Sequence, residues 1–268
     1  MSHSRREAYP SIDVILPAGG RIEGEFALTT GEEYKALIAW EGKTILRRTL
    51  ETFEQLEGIG RRVVIGGERV RTEAQSHGAE GVLEEGTSGP ENIFRGLEWL
   101  QAQERPASRV LIATTDLPFL TAASIRAFVQ ACPQEADISI PIISASTFET
   151  QFPGTASVYV PLKSESITVG CVFMLSPEAL LRARGHIETL FEARKSNLAL
   201  ARVVGLGTIL RLLTKRLDVH HIEARCSRVL GVRGVGVRGA PPELAYDMDT
   251  LEDFLSVCRH KTEREETE

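Results

Sequence analysis

The sequence has few cysteines and no long apolar run, and each absence excludes a class of protein. Its four cysteines are widely spaced and form no Cys-x-x-Cys pair, so neither a disulfide framework nor a zinc site is expected. No apolar run approaches the roughly 18 residues that a membrane span requires, and the N-terminal segment is polar, unlike a secretory signal. We therefore expect a soluble cytoplasmic protein that has no membrane partner and keeps its thiols reduced.

An excess of positive charge is also missing. The 268 residues carry 31 Lys or Arg against 37 Asp or Glu, for a formal net charge of −6. Proteins that bind nucleic acids usually present a basic surface to the phosphate backbone, so nucleic acid is not expected as a partner. A small anionic substrate held by a few local cations is compatible with this balance. The sequence does not predict an oligomeric state.

Strand-like and helix-like segments alternate along the first half of the chain. Strand-like segments at 13–16, 62–65 and 110–113, each with three or more consecutive apolar residues, are separated by segments with one-sided helical periodicity, at 44–56 and 89–103. This alternation predicts an α/β fold with a doubly wound, mostly parallel sheet between two layers of helices.

The second half is less regular and predicts a helical embellishment of the same domain. We expect a single domain over residues 12–258, a flexible arm at 1–11 and a charged tail at 259–268. Residues 177–217 have a largely helical pattern. Further strand-like runs lie at 138–142, 156–160, 169–175, 219–222 and 229–237.

A glycine turn follows the first predicted strand. Ala18, Gly19 and Gly20 precede Arg21, and a polar loop then leads to a lone Lys35. The backbone N–H groups of such a turn can approach phosphate oxygens, and Arg21 and Lys35 would add the positive charge that a polyphosphate needs. The alternative is an ordinary strand–loop turn with two solvated cations.

Three loops at the carboxyl ends of the predicted strands should meet in space. They are residues 17–35, 84–92 and 114–120, and ligands of doubly wound sheets bind at that edge. The third loop contains Asp116, which follows a buried strand and is a candidate ligand of Mg²⁺. Turn formation is the alternative role for this acid.

A second candidate metal ligand, Asp249, precedes the last predicted helix. Helix capping is its alternative role, and spacing alone does not choose between Asp249 and Asp247. Cations on a glycine turn together with strand-end acids suit metal-dependent attack on an α-phosphate.

Several segments, taken in order, resemble the nucleotidyltransferases of the molybdenum cofactor guanylyltransferase-like family. LPAGGR and YKAL resemble the family's signature, and GKTILRRTLETF its first helix. DLPFLT resembles the metal-binding segment, and DMDTLEDF is similar to a segment near the family's C-terminus. GPENIFRGL resembles the base-recognition segment of the cytidylyltransferase of the methylerythritol phosphate pathway.

The resemblance implies a nucleotide-diphospho-sugar transferase fold, which is Rossmann-like. It also implies an enzyme that uses Mg²⁺ to join an NTP to a small phosphorylated acceptor, with release of pyrophosphate. It assigns nucleotide contacts to Ala18, Gly19 and Gly20 and base recognition to Gly86 and Asn92. It assigns catalysis to Arg21 and Lys35 and metal ligation to Asp116 and Asp249.

The chain departs from the family pattern at three places. The glycine turn lacks the usual residue between its glycines, Tyr34 replaces a proline before Lys35, and Cys171 stands where related proteins often have Asn. Two other functions stay open, namely glycosyl transfer from a nucleotide sugar on a similar fold and, because of the compressed glycine turn and Cys171, nucleotide binding without catalysis. The first is usually accompanied by an Asp-x-Asp at the central strand end, whereas this strand ends Thr114-Thr115-Asp116.

A locally basic segment spans residues 202–238, which contain eight Lys or Arg and only two acids. It predicts either a site for an acceptor phosphate or anionic partner, or ordinary solvated and subunit-contact faces. His220 and His221 within it are expected to be structural, because neighbouring residues of a strand face opposite ways.

Overall fold

The protein is described by a computed structural model that covers residues 11–155, 157–193, 211, 214 and 216–265. The strands are β1 Ile12–Pro17, β2 Ala39–Trp40, β3 Lys43–Thr44, β4 Ile59–Gly66, β5 Gly81–Glu84, β6 Val110–Ala113, β7 Ile138–Ser144, β8 Val160–Pro161, β9 Ser166–Val169, β10 Val172–Leu175 and β11 Gly234–Arg238. The helices are α1 Gly24–Thr30, α2 Ile45–Glu54, α3 Glu68–Ser76, α4 Gly89–Gln101, α5 Ala122–Ala131, α6 Ala145–Gln151, α7 Pro177–Ala193, α8 Val219–Leu230 and α9 Leu251–Glu265.

A mostly parallel sheet forms the centre of the molecule. Its strand order is β5-β4-β1-β6-β10-β7-β9-β8, and β11 pairs with β7. The β5, β4, β1 and β6 strands run parallel to one another, whereas β10 is antiparallel to both of its neighbours. The predicted α/β class with a mostly parallel sheet is confirmed.

Helices cover both faces of this sheet, and the alternation along β1 explains why. Val14 and Leu16 point into the core formed with α2, α3 and α5, whereas Ile15 points into the opposite core formed with α4 and α7. All three side chains are fully buried. A central parallel strand therefore contains an unbroken apolar run, because it must bury side chains on both sides.

Side-chain caps mark the starts of three helices in the first half, two of which begin where the segments at 44–56 and 89–103 were predicted. Thr44 and Ser88 each accept a hydrogen bond from the backbone N–H three residues on, at the starts of α2 and α4. Thr121 caps α5 and forms a reciprocal capping box with Ser124. These local signals fix where each helix begins, independently of the tertiary fold.

The run at 169–175, predicted as one strand, is two strands separated by a bend. Gly170 and Cys171 lie between β9 and β10, and the Cys171 N–H donates to the Leu244 carbonyl at 2.7 Å. A Cβ on Gly170 would lie 2.7 Å from the same oxygen, so only glycine fits there. Part of the 156–160 run, Ala156, lies outside the described residues, and the strand there is β8.

The prediction of a strand at 219–222 is wrong, because these residues begin helix α8. Asp218 caps the helix by accepting from the His221 N–H, and Gly231 ends it in the left-handed conformation with a φ of 69°. The argument that His220 and His221 face opposite sides of a strand therefore fails. Each instead lies beside an acid on its own helical turn, His221 beside Asp218 and His220 beside Glu223.

Several predicted segments lie wholly or partly outside the described residues. They include the predicted arm at 1–11, of which only residue 11 is described, and part of the basic segment at 202–238, where the described Arg233 and Arg238 pair with Glu135 and Glu165. Helix α9 continues to Glu265, into the predicted charged tail. Within the described ranges, no helix combines the length and apolar character needed to cross a bilayer.

Candidate active site

The three loops that were predicted to meet do so at the carboxyl edge of the parallel strands. Arg21, after β1, contacts Glu85, after β5, and Lys35 contacts Asp116, after β6. The C-terminal segment joins them, because the Met248 N–H donates to the Asp116 carbonyl at 3.0 Å. Parallel strands end at the same edge, so residues distant in sequence converge there.

The glycine turn is the start of a closed loop. The Ala18 N–H donates to the Ile65 carbonyl at 2.7 Å, and the Lys35 N–H donates to the Gly20 carbonyl at 2.9 Å. Arg21 and Tyr34 then form an antiparallel bridge. This pairing brings Lys35 back beside the turn although the loop between them contains the whole of α1. The sequence prediction described that loop as polar and missed α1.

Lys35 and two carboxylates form the centre of the candidate site. Lys35 Nζ lies 3.4 Å from Asp116 Oδ2 and contacts Asp249 Oδ1 directly. Burial alone would lower the pKa of Lys35, but the charge of Asp116 and the hydrogen bond to Asp249 outweigh it and raise the pKa. The ammonium group is therefore charged at neutral pH in a largely buried position.

Asp116 has a free oxygen that suits a cation. Its Oδ1 is buried and has no hydrogen-bond partner among the described residues. A buried carboxylate oxygen without a partner is costly unless a cation or water satisfies it. Among those residues no group of three or more His, Cys, Asp or Glu is arranged to hold a metal. Mg²⁺ needs only one or two carboxylates when phosphates and water complete its shell, so the pair Asp116 and Asp249 fits it.

Two further side chains lie beside these acids. Burial, with the nearby charges of Asp116 and Asp249, raises the pKa of Asp247 to about 6. Burial likewise raises the pKa of the Cys171 thiol, with smaller contributions from Asp247 and Asp116. The structure thus brings both candidate acids of the C-terminal segment to the site, but it is Asp249 that contacts Lys35.

Arg21 is held by two residues that the sequence prediction did not include. Its Nη2 donates to Glu85 Oε1 at 2.6 Å and to the Tyr34 hydroxyl at 2.5 Å, and its guanidinium carbon lies 4.2 Å from the centre of the Tyr34 ring. Tyr34 is 5% exposed. The only signals in the sequence were Tyr34 itself, at a position where the family has proline, and a second acid at the end of β5.

Asn92 lies next to the glycine turn and fastens the loop that follows β5. Its Oδ1 accepts from the Gly86 N–H at 2.6 Å, which leaves the Nδ2 group directed elsewhere. A Cβ on Gly19 would lie 3.4 Å from that Nδ2, so the amide faces the turn. The Glu91 carboxylate holds the same loop by accepting from the N–H and hydroxyl of Thr87.

A family model of the MobA-like NTP transferase domain matches residues 18–206. The chain belongs to this family of nucleotidyltransferases. The resemblance drawn from its sequence motifs is thereby confirmed, and the match favours nucleotidyl transfer over glycosyl transfer. A search of proteins with curated functions finds no match.

Solved structures resemble the chain over nearly its whole length. A hypothetical transferase from Thermus thermophilus is 30% identical, with a TM-score of 0.79 over 91% of this chain and 99% of that one. A CMP:2-keto-3-deoxy-manno-octonic acid synthetase complexed with CTP is 14% identical, with a TM-score of 0.58 over 96% and 100% of the two chains. A 4-diphosphocytidyl-2C-methyl-D-erythritol synthase from Anaerococcus prevotii is 12% identical, with a TM-score of 0.56 over 94% and 96%. The last two likenesses concern the fold alone.

Proposed function

We propose that the protein is a Mg²⁺-dependent nucleotidyltransferase that joins an NTP to a small phosphorylated acceptor and releases pyrophosphate. The observation that carries this proposal is the position of Lys35, whose charge lies against Asp116 and Asp249 beside the glycine turn. These groups come from three segments that are distant in the sequence and meet at one edge of the sheet.

In the proposed reaction, an oxygen of the acceptor phosphate forms a bond to the α-phosphorus of the NTP. The bond from that phosphorus to the pyrophosphate breaks at the same centre. The attacking phosphate is already an anion, so no side chain has to remove a proton. Lys35 and Arg21 would stabilise the charge on the α-phosphate and on the leaving pyrophosphate.

The remaining residues would bind and orient the nucleotide. Ala18, Gly19 and Gly20 would receive its phosphates on their backbone, while Asn92 and Gly86 would face the base. Asp116 and Asp249 would hold Mg²⁺, whose chemistry, when it is bound, is to neutralise charge on the transferring phosphoryl group.

The structural neighbours support the choice of an NTP as one substrate. The CMP:2-keto-3-deoxy-manno-octonic acid synthetase was solved with CTP, so this fold accommodates a nucleoside triphosphate.

We also propose that residues 12–258 act as a single domain in the cytoplasm. Strand β11 of the second half completes the sheet by pairing with β7, and the four free cysteines suit a reducing compartment.

The proposal is tested by measuring pyrophosphate release with each NTP against a panel of phosphorylated acceptors. Turnover with an NTP that depends on Mg²⁺, Lys35 and Asp116 is the expected result. Stabilisation of the protein against heat by NTP and Mg²⁺, without product for any acceptor, would favour nucleotide binding without catalysis. Stabilisation by UDP-sugars and not by NTPs would favour glycosyl transfer.

A further inference from the structure

A carboxylate of the protein itself covers the glycine turn. Glu85 Oε1 accepts from Arg21 Nη2 at 2.6 Å and from the Tyr34 hydroxyl at 3.1 Å. Its other oxygen, Oε2, lies 2.5 Å from the point where a Cβ on Gly19 would be. The carboxylate therefore extends from the guanidinium group to the surface of the turn, over the backbone that would receive phosphate.

Arg21 is therefore already paired with an anionic side chain of the protein itself. Its hydrogen bond to Glu85 raises the pKa of Arg21, and Glu33 lies 4.0 Å away as a second acid. A carboxylate and a phosphate both accept hydrogen bonds from a guanidinium group, and they repel each other. They cannot use the same Arg21 donors at once.

The Glu85 side chain is free to move away from Arg21. Its side chain is 19% exposed and belongs to the loop after β5, not to the strand. Rotation of its side chain would release Arg21 without any change in the sheet. The stacked Tyr34 ring, which is 5% exposed, would keep the guanidinium group beside the turn.

We propose that Glu85 is an internal anion that occupies the phosphate site of the free protein and must be displaced before a polyphosphate binds. This inference rests on the proposed function, because it takes the glycine turn and Arg21 as the phosphate site. It assigns to Glu85 the role of a gate that weakens phosphate binding.

The test measures the binding of tripolyphosphate, by calorimetry, to the full-length protein without acceptor. Glu85→Gln is expected to bind it about tenfold more tightly than the wild type, because the competing charge is gone. Glu84→Gln is the matched control, since it removes one negative charge from the adjacent, exposed position at the end of β5. It is expected to change the affinity by less than about twofold.

The same change in an Arg21→Gln background identifies the contact responsible. There, Glu85→Gln is expected to give a smaller gain, because only the charge of Glu85 beside the turn is removed and no guanidinium group is released. Weaker binding by Glu85→Gln, a gain no larger than that of Glu84→Gln, or an equal gain without Arg21 would each overturn the proposal. Tyr34→Phe removes the second donor to Glu85 and provides an independent variant, which should bind tripolyphosphate about twofold more tightly.

This experiment tests the role of Glu85 in polyphosphate binding separately from the proposed function. Tripolyphosphate has no base and the assay has no acceptor, so a gain in Glu85→Gln stands even if no NTP is ever turned over. Conversely, turnover by the wild type together with unchanged tripolyphosphate binding in Glu85→Gln would overturn the gate and leave the proposed function intact.

Discussion

Lys35 Nζ lies 3.4 Å from Asp116 Oδ2, although 81 positions separate the two residues in the sequence. The Lys35 side chain is 14% exposed, and that of Asp116 is 17% exposed. Solvent therefore screens this pair only weakly. A charge held in this way is preorganised for an anionic substrate, since little solvent has to reorganise when the reaction charge develops.

Lys35→Gln is expected to lower the rate of pyrophosphate release by about 10²-fold or more, with a smaller effect on the KM for NTP. The reason is that a charge facing the reacting phosphate stabilises the transition state more than the ground state. Lys43→Gln is the matched control, because Lys43 pairs with Glu51 at 2.7 Å on the half-exposed surface. A rate for Lys35→Gln equal to that of the control would remove Lys35 from the catalytic machinery.

Asp116→Asn and Asp249→Asn are each expected to abolish the extra thermal stability that Mg²⁺ gives to the protein in the presence of NTP. Each change removes an anionic oxygen from the proposed metal site, and a ligand raises stability only as far as the folded protein binds it. Chelation of Mg²⁺ should have the same effect on the wild type. Thermal unfolding with and without EDTA measures this.

Glu252→Gln serves as the control for these two acids, since Glu252 is an exposed acid in the first turn of α9, close to Asp249 in sequence. It should keep the full response to Mg²⁺. Equal responses in all three variants would mean that the two aspartates do not bind the metal.

The first half of the fold could be predicted because its signals are local. Thr44, Ser88 and Thr121 begin their helices by capping bonds within three residues, and apolar runs identify the central strands. That the strand-end loops meet follows from a general rule of parallel sheets, so Lys35 and Asp116 could be placed together without coordinates.

Other contacts could not be predicted, because they depend on side-chain direction across the fold. Glu85 reaches Arg21 over 64 positions, and no periodicity identifies which acid will do so. The segment predicted as a strand at 219–222 was too short to separate strand from helix, and the better signals were the cap at Asp218 and the ending at Gly231. The choice of Asp249 as the acid in contact with Lys35 likewise needed the structure.

Gly67→Ala is expected to destabilise the protein by about 1–3 kcal/mol, because Gly67 lies against the hydroxyl end of Tyr34 and leaves no room for a Cβ. An added Cβ would lie 2.7 Å from Tyr34 Cζ and closer still to its hydroxyl. In a Tyr34→Ala background the same change should cost much less, and urea unfolding of all four proteins gives the coupling.

Gly185→Ala is the matched control for this glycine series. Gly185 lies within α7, and nothing is within 4 Å of its added Cβ. The change should stabilise the protein by about 0.5–1 kcal/mol, as alanine does in a helix interior. Additive effects of Gly67→Ala and Tyr34→Ala would show that Gly67 is not kept for the sake of Tyr34.

Asn92→Asp is expected to keep the loop after β5 in place while altering the choice of NTP. Asp retains the oxygen that accepts from the Gly86 N–H but replaces the Nδ2 donor that faces the turn. Loss of the proposed hydrogen bond from Asn92 to the base should change the ratio of kcat/KM between NTPs by about tenfold or more. Unchanged ratios with unchanged melting temperature would limit Asn92 to holding the loop.

Glu91 is expected to make stability depend on pH in the acid range. Hydrogen bonds from the backbone N–H and hydroxyl of Thr87, then from Arg95, lower the pKa of Glu91 from 4.5 to about 2. A folded-state pKa below the unfolded value contributes stability that is complete above pH 4.5 and is lost as the pH falls towards 2.

The free energy of unfolding of the wild type should therefore exceed that of Glu91→Gln at pH 6, and the difference should shrink between pH 4.5 and 2. Thr87→Val removes the hydroxyl donor but keeps the backbone donor, so its pH-dependent difference from the wild type should be smaller and lie in the same window. A difference between the wild type and Glu91→Gln that stays constant over this range would show that the carboxylate does not hold the loop through its charge.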